Sequence, residues 1–303
     1  MLLILKSKKK TGPKMKKFLR LTGAELAKQG VGFSASSLEE VELYIEKGKI
    51  KLLICGKSVK AWSTIYLRKV GRNRGIAHML ALVSKRAGVK FIDSYHEQTK
   101  DASDAAKIIQ MFRLAMAGIS VPKTYFAGSY SKTHLRHAVA YLKLPIVVKE
   151  CNTSQGAGVF LAKNINELEK IITERFSLDD RKDIFLQEFI PNNFEYRILI
   201  TGNKVAVTEK KIRSKKEAFR NNVHLGATEE FVDPSTVANR IKKEALLGAK
   251  ITHIQVAGVD VVERIDGSPV IFEVNSCPAL TLDNKISPEI KKLAQYLTEC
   301  EKK

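Results

Sequence analysis

GVDVVERIDGSPVIFEVNSCP, residues 258–278, joins two runs of β-branched residues through a turn signal and sets Asp260, Glu273 and Asn275 among side chains that favour burial. A loop of four residues, Asp266 to Pro269, pairs Ile265 with Val270 and makes the two runs antiparallel strands. In that register Asp260 faces Asn275 and Glu273 faces Val262. Strand side chains alternate, so the three oxygen donors leave the hairpin on one side. Two carboxylates and an amide suit Mg²⁺, which takes a few hard oxygens and leaves places for water and phosphate. A wet sheet face with three unrelated polar residues fits the hairpin alone equally well, so the rest of the chain has to decide.

The segments before the hairpin alternate strand and helix. Leu2–Leu5 reads as a strand, helical periodicity follows near 15–29 and 38–47, and then come strand IKLLICG, helix RGIAHMLALVSKRAG and strand VKFID. Repeated βα units imply a parallel sheet. Ser37 and Glu40 have capping-box spacing, and Gly48 and Gly88 stand where helices should stop. A helix from about Ser103 to Ala117, ended by Gly118 and Pro122, leads into a second module. There the helices SKTHLRHAVAYL and NINELEKIITERF lie among the strands PIVVKE, GVFLAK and IFLQEFI. The remainder is strand-rich: YRILI and KVAVTEKKI about a turn from Thr201 to Lys204, a helix near 235–249, the opening hairpin and a last helix from Pro288. The expected organisation combines α/β and α+β parts. An N-terminal parallel βα domain spans 1–105, a helix with a small domain 106–187, and a C-terminal domain with a mixed sheet 188–303.

A chain of 303 residues exceeds what one compact core usually serves, so ligand sites between domains are expected. The formal charge of +20 is concentrated in KSKKKTGPKMKK (6–17), RKVGRNR (68–74) and KVAVTEKKIRSKKEAFR (204–220). Such a field draws acidic partners: nucleotide phosphates, an acidic metabolite, an acidic peptide tail or nucleic acid. Aromatic residues are not interleaved with these clusters, which removes the usual stacking platform, and nucleic acid is not expected. No apolar run approaches a membrane span. MLLIL is too short for a signal-peptide core and reads as a strand, so no membrane partner and a cytoplasmic location are expected. Cys55, Cys151, Cys277 and Cys300 lack CxxC spacing, which argues against a zinc site or a disulfide framework.

Several stretches carry chemistry. PIVVKECNTSQGAGVF puts Lys149 at the end of an apolar strand, with Gly156 and Gly158 in the loop beyond. Glycines let backbone N–H groups approach phosphate oxygens while a lysine supplies a point charge. The order of Lys and Gly excludes a Walker A loop, and an ordinary β-hairpin fits the same residues. FLQEFIPNNFEYRILITG places Glu188 and the backbone after it at the end of a buried strand, where main-chain groups could read an adenine. EKKIRSKKEAFRNNVHLGA supplies Lys210, Arg220 and Asn222 in a segment without clear period, as in a loop over phosphates or a charged surface loop.

Taken in order, VVKE with its QGAG loop, QEFI, EYR, EKK, FRNNVHLGA, GVDVV and FEVNSCPAL resemble an ATP-grasp ligase of the RimK-like branch over about 100–282. The first module is similar in its βα texture and in VGRNRGIAHMLALVSKRAGVKFIDS. The resemblance implies that Lys107 and Lys149 reach ATP phosphates under a loop of Gln155, Gly156, Ala157 and Gly158. Glu188, Phe189 and Ile190 would form the adenine edge and Glu195 would lie near the ribose. Lys210, Arg220, Asn221 and Asn222 would stand at the phosphate end. Asp260, Glu273 and Asn275 match the family's metal positions, for two Mg²⁺ with Mn²⁺ as a substitute. The family often has Asp before the first lysine, where this chain has Ala106.

The implied reaction is ATP-dependent amide formation through an acylphosphate, with Arg197 and Arg220 as candidates for stabilising charge on its oxygens. Its partners would be a small-molecule carboxylate and an amine, one of them an acidic amino acid such as glutamate, an acidic peptide or a protein tail. A homo-oligomer is compatible with this. The alternative is a nucleotide-binding, nucleic-acid- or ribosome-associated basic protein on a non-catalytic ATP-grasp fold.

Overall fold

The computed structural model describes residues 1–8, 12–46, 49–71, 73–98, 107–127, 130–151, 158–175, 184–212 and 228–302. Its elements run β1 (Leu2–Lys6), α1 (Pro13–Ala27), β2 (Phe33–Ser37), β3 (Val41–Glu46), β4 (Lys49–Ile54), β5 (Lys57–Ser58), β6 (Thr64–Leu67), α2 (Arg74–Arg86) and β7 (Lys90–Ile92). Next come α3 (Tyr95–Gln98), α4 (Lys107–Met116), β8 (Thr124–Tyr125), α5 (Lys132–Leu142), β9 (Ile146–Glu150), β10 (Val159–Ala162), α6 (Ile165–Arg175) and β11 (Ile184–Glu188). The last are β12 (Phe194–Thr201), β13 (Lys204–Ile212), β14 (Thr228–Val232), α7 (Asn239–Ile251), β15 (Val256–Glu263), β16 (Pro269–Asn275) and α8 (Glu289–Lys302).

The first sheet is parallel, in the order β2-β1-β6-β7, as repeated βα units require. Its central strand β1 is an unbroken apolar run because both faces are covered. Leu2 and Ile4 pack with α1 and α8, and Leu3 and Leu5 pack against α2 and β4. The helix expected near 38–47 is instead β3, in an antiparallel β3-β4-β5 sheet. Ser37 makes no side-chain cap there. Val41 and Leu43 pair with Ile54 and Leu52 and pack against the α2 side of the parallel sheet, so burial of a period-two stripe overrides the local helix signal.

The second sheet, β10-β9-β11-β8, buries Ile146, Val148, Ile184 and Leu186 under α5 and α6. Alternation turns Lys149 of β9 to the other face, opposite Phe185 of β11, which packs with Ile108 and Ile109 of α4. The third sheet, β14-β13-β12-β15-β16, is antiparallel through all its described pairings, where a mixed sheet was expected. One face buries Tyr196, Ile198, Val259, Val261 and Val274 under α7 and α4. The other face carries the polar side chains of the site. The parallel sheet is held against this one by α8, whose Leu293 and Leu297 share a core with Leu2 and Ile4, and by the buried Asp93, among other contacts. Asp93 Oδ1 accepts from the amides of Gln255 at 2.8 Å and Val256 at 2.9 Å, at the start of β15.

Candidate active site

The hairpin register differs from the sequence expectation. The turn tightens to Arg264–Ser268, so Glu263 pairs with Pro269 and Val262 with Val270. A bulge between Asp260 and Val261 then lets Phe272 fall between pairs, and Asp260 meets Glu273 while Gly258 meets Asn275. The two departures leave the face unchanged, since Asp260, Glu273 and Asn275 still project together. A bulge re-aims the extra side chain, and Phe272 joins Ile190, Val262 and Val270 in an apolar floor beside the donors.

Cross-strand pairing extends this face into a polar row: Glu273, Asp260, Arg197 and Glu209 stand on β16, β15, β12 and β13. Arg197 donates from Nε to Asp260 Oδ1 at 2.7 Å and from Nη2 to Oδ2 at 2.6 Å. The buried Lys211 lies 3.5 Å from Asp260 Oδ1 and 3.7 Å from Glu195 Oε1. Burial opposes charge on Asp260, but Arg197 and Lys211 outweigh it and hold the carboxyl down at about 2. Lys107 at the start of α4 is 3.8 Å from Glu273 Oε1. From the second sheet, Lys149 sits 5.2 Å over the Phe272 ring. Burial brings the Lys149 amine down to about 8, with Glu273 pulling it up and Lys107 pushing it down.

These contacts bring Lys107, Lys149, Glu195, Arg197, Asp260, Glu273 and Asn275 together around one sheet face. Lys210 is placed elsewhere: it lies over Phe194 at 5.2 Å and Tyr196 at 5.9 Å, on the opposite side. The next residue, Lys211, is the cation that β13 turns inward. Glu188 sits at the rim, its carboxylate paired with Arg264 and accepting the Lys123 amide at 2.8 Å. Against the cost of its burial, these partners hold it below the usual carboxylate range. Phe189 and Ile190 follow directly, and Ile190 enters the apolar floor. Gly158 closes the β9–β10 connection through its carbonyl, which accepts the Glu150 amide at 2.8 Å. Gln155, Gly156, Ala157, Arg220, Asn221 and Asn222 lie outside the described residues.

The donor set fits a hard divalent cation. Asn275 donates its amide nitrogen to Asp260 Oδ2 at 3.2 Å and to Gly258 O at 3.4 Å, and its Oδ1 accepts no hydrogen bond among the described residues. Glu273 is half-exposed. Each Asp260 oxygen already faces two donors, Arg197 Nε and Lys211 Nζ at Oδ1 and Arg197 Nη2 and Asn275 Nδ2 at Oδ2, so a cation held there would replace the Lys211 or Asn275 contact.

Sequence reasoning missed Arg68 at the end of β6. Although buried, its guanidinium lies 4.9 Å over Phe18 and donates to Cys277 Sγ at 3.1 Å and Pro278 O at 2.7 Å. It thereby pins the loop that follows Asn275. Its only signal in the sequence was membership of the basic cluster 68–74.

A model of the RimK-like ATP-grasp domain matches residues 102–297, more than half of the chain. A probable alpha-L-glutamate ligase of Vibrio atlanticus is 33% identical over 177 residues, 57% of this chain and 56% of that protein. One of Cellvibrio japonicus is 32% identical over 180 residues, 58% and 56% of the two chains. The match thus spans little more than half the length of these curated relatives. Among solved structures, the ATP-grasp ligase PsnB complexed with a phosphomimetic variant of a minimal precursor, Mg and ADP superposes with a TM-score of 0.72. The identity is 14%, and the match covers 100% of this chain and 98% of that one. The macrocyclase MdnC bound with precursor peptide MdnA from Microcystis aeruginosa MRC gives 0.64 at 16% identity over 99% of each chain. At such identities the likeness shows the fold alone.

Proposed function

This chain belongs to the RimK-like ATP-grasp family, and from that premise and its polar sheet face we propose that it is an ATP-dependent carboxylate–amine ligase. The observation that carries the reading is the convergence of Lys149, Lys107, Glu273, Asp260, Asn275 and Arg197 from separate elements on one patch. Phosphoryl transfer needs positioning and charge neutralisation more than a nucleophilic side chain, and this patch offers donors of both signs. Lys107 and Lys149 bind the phosphates. Ile190, Val262, Val270 and Phe272 supply an apolar floor for the base, with Phe189 at its edge and Glu195 toward the ribose. Asp260, Glu273 and Asn275 hold Mg²⁺, one ion or two, which supplies neutralisation of phosphate charge. Arg197 neutralises the oxygens of the acylphosphate formed when the substrate carboxylate attacks the γ-phosphate. Lys211 takes the inward place expected of Lys210. The loop 155–158 and residues 220–222 complete the phosphate end on the family pattern.

The matched relatives are named as glutamate ligases, and the +20 charge favours an acidic substrate, so glutamate or a glutamate-bearing acceptor is the first choice. The test is ADP release with Mg²⁺ and ATP across acidic and neutral amino acids and acidic peptides, with hydroxylamine present to trap an acylphosphate. The reading expects substrate-dependent ADP and hydroxamate, with the acidic preference shrinking as salt screens exposed charge over a Debye length of about 8 Å. ADP release without any hydroxamate or amide would sink it.

A further inference from the structure

The strand that carries Glu273 and Asn275 lies at an edge. Among the described strands β16 pairs with β15 alone, so its outward backbone groups meet no further strand. Helix α4 and the segment after it cover them instead. The Ile271 amide donates to Ser120 O at 2.9 Å, and Gln110 of α4 engages both backbone groups of Val274. Gln110 Nε2 donates to Val274 O at 2.7 Å, while its Oε1 accepts from Val274 N at 2.8 Å. A primary amide presents a donor and an acceptor side by side, so Gln110 pairs with this residue as a neighbouring strand would.

Val274 matters because of its neighbours. Glu273 and Asn275 flank it and project on the polar face, while the Val274 side chain shares the core with Met111 and Leu114 of α4. Held from the edge and from the core, Val274 fixes the separation of the two oxygen donors on either side of it. One turn before Gln110 on the same helix, Lys107 stands 3.8 Å from Glu273 Oε1, so α4 meets the strand at two polar points. The Gln110 amide is turned to the backbone and acts through the donors. Mg²⁺ demands near-ideal octahedral geometry with oxygens at about 2.0–2.1 Å, whereas Ca²⁺ accepts looser sets at about 2.3–2.6 Å. A strand held in place therefore favours the smaller ion, and a strand free to shift loses that preference.

We propose that Gln110 is a positioning residue: by clamping Val274 it sets Glu273 and Asn275 at the spacing Mg²⁺ needs and makes the site select Mg²⁺ over Ca²⁺. The assignment deepens the ligase reading and rests on its metal–nucleotide site.

The test is calorimetric titration of ADP into the full chain without divalent ion, with Mg²⁺ and with Ca²⁺, beside urea unfolding of the same samples. Gln110→Met keeps the length of the side chain and removes both hydrogen bonds. Residues that orient metal ligands commonly change metal affinity severalfold or more when lost, so the gain in ADP affinity from Mg²⁺ should fall at least about fivefold while the gain from Ca²⁺ falls less than about twofold. ADP alone should bind as in the wild type. The decisive quantity is the ratio of the two gains. A purely structural role would lower the unfolding midpoint and both gains together and leave that ratio where it was, which overturns the proposal. A wild type served as well by Ca²⁺ as by Mg²⁺ overturns it too. Should Gln110→Met not fold, Gln110→Asn, whose shorter amide falls short of the strand, should lower the same ratio at least about twofold, and an unchanged ratio there is equally fatal. Failure of the metal–nucleotide reading shows separately, as a wild type whose ADP binding gains nothing from Mg²⁺, and it removes this proposal with it.

Discussion

Gly258 shows how closely the site is packed at the level of one residue. A Cβ on it would lie 2.6 Å from Pro278 Cβ, in the loop that Arg68 pins and that follows Asn275. Gly258→Ala must therefore push Pro278 outward, and we expect a loss of about 1–3 kcal/mol in urea unfolding, as overpacking commonly costs. Weaker Mg-dependent nucleotide binding should accompany it, because Asn275 bonds to the Gly258 carbonyl. A variant as stable as the wild type would show that the loop yields freely. At this scale the sequence was informative where period two operates. Asp260, Glu273 and Asn275 could be put on one face without knowing the register, since the turn and the bulge together preserve the alternation. Lys210 could not be told from Lys211, because that choice depends on pairing with β12. The apolar floor was hidden for a related reason: Phe272 reaches it only through the bulge.

Among elements, the stretch 38–47 is the instructive failure. Its Ser37 and Glu40 imitate a helix start, while Val41 and Leu43, against Leu52 and Ile54, carry the alternation of a hairpin. Local hydrogen-bonding signals and the demand for burial disagreed, and burial prevailed. The helix α3 makes a prediction of its own. His96 is buried there, with Tyr95 at a ring distance of 4.0 Å and Phe91 at 6.1 Å. Burial, helped by His78 and Arg74, lowers its imidazole from 6.5 to about 4. Between those values the unfolded chain binds the proton and the folded chain does not, so stability contributed by neutral His96 rises with pH through that window. His96→Phe should flatten the wild-type difference in unfolding free energy between pH 4.5 and 7 by on the order of 2 kcal/mol. Parallel pH curves for the two proteins would exclude the assignment.

For the whole molecule, the site exists because three sheets meet. The second sheet brings Lys149, α4 brings Lys107, the third sheet brings the acidic row, and the parallel sheet reaches the loop after Asn275 through Arg68. The order of motifs made this architecture legible, since each segment keeps its own strand or helix pattern. The role of Arg68 was not legible, because its partners Cys277 and Pro278 come from a distant part of the chain. None of the described helices is long and apolar enough to cross a membrane. The central claim is that this sheet face binds nucleotide through a metal, and titration calorimetry with ADP tests it without knowledge of the substrates. The account predicts saturable binding of ADP that strengthens at least about tenfold on adding Mg²⁺, with Glu273→Gln removing the metal-dependent gain. Binding of ADP that is indifferent to Mg²⁺, or a gain that Glu273→Gln leaves intact, would contradict it.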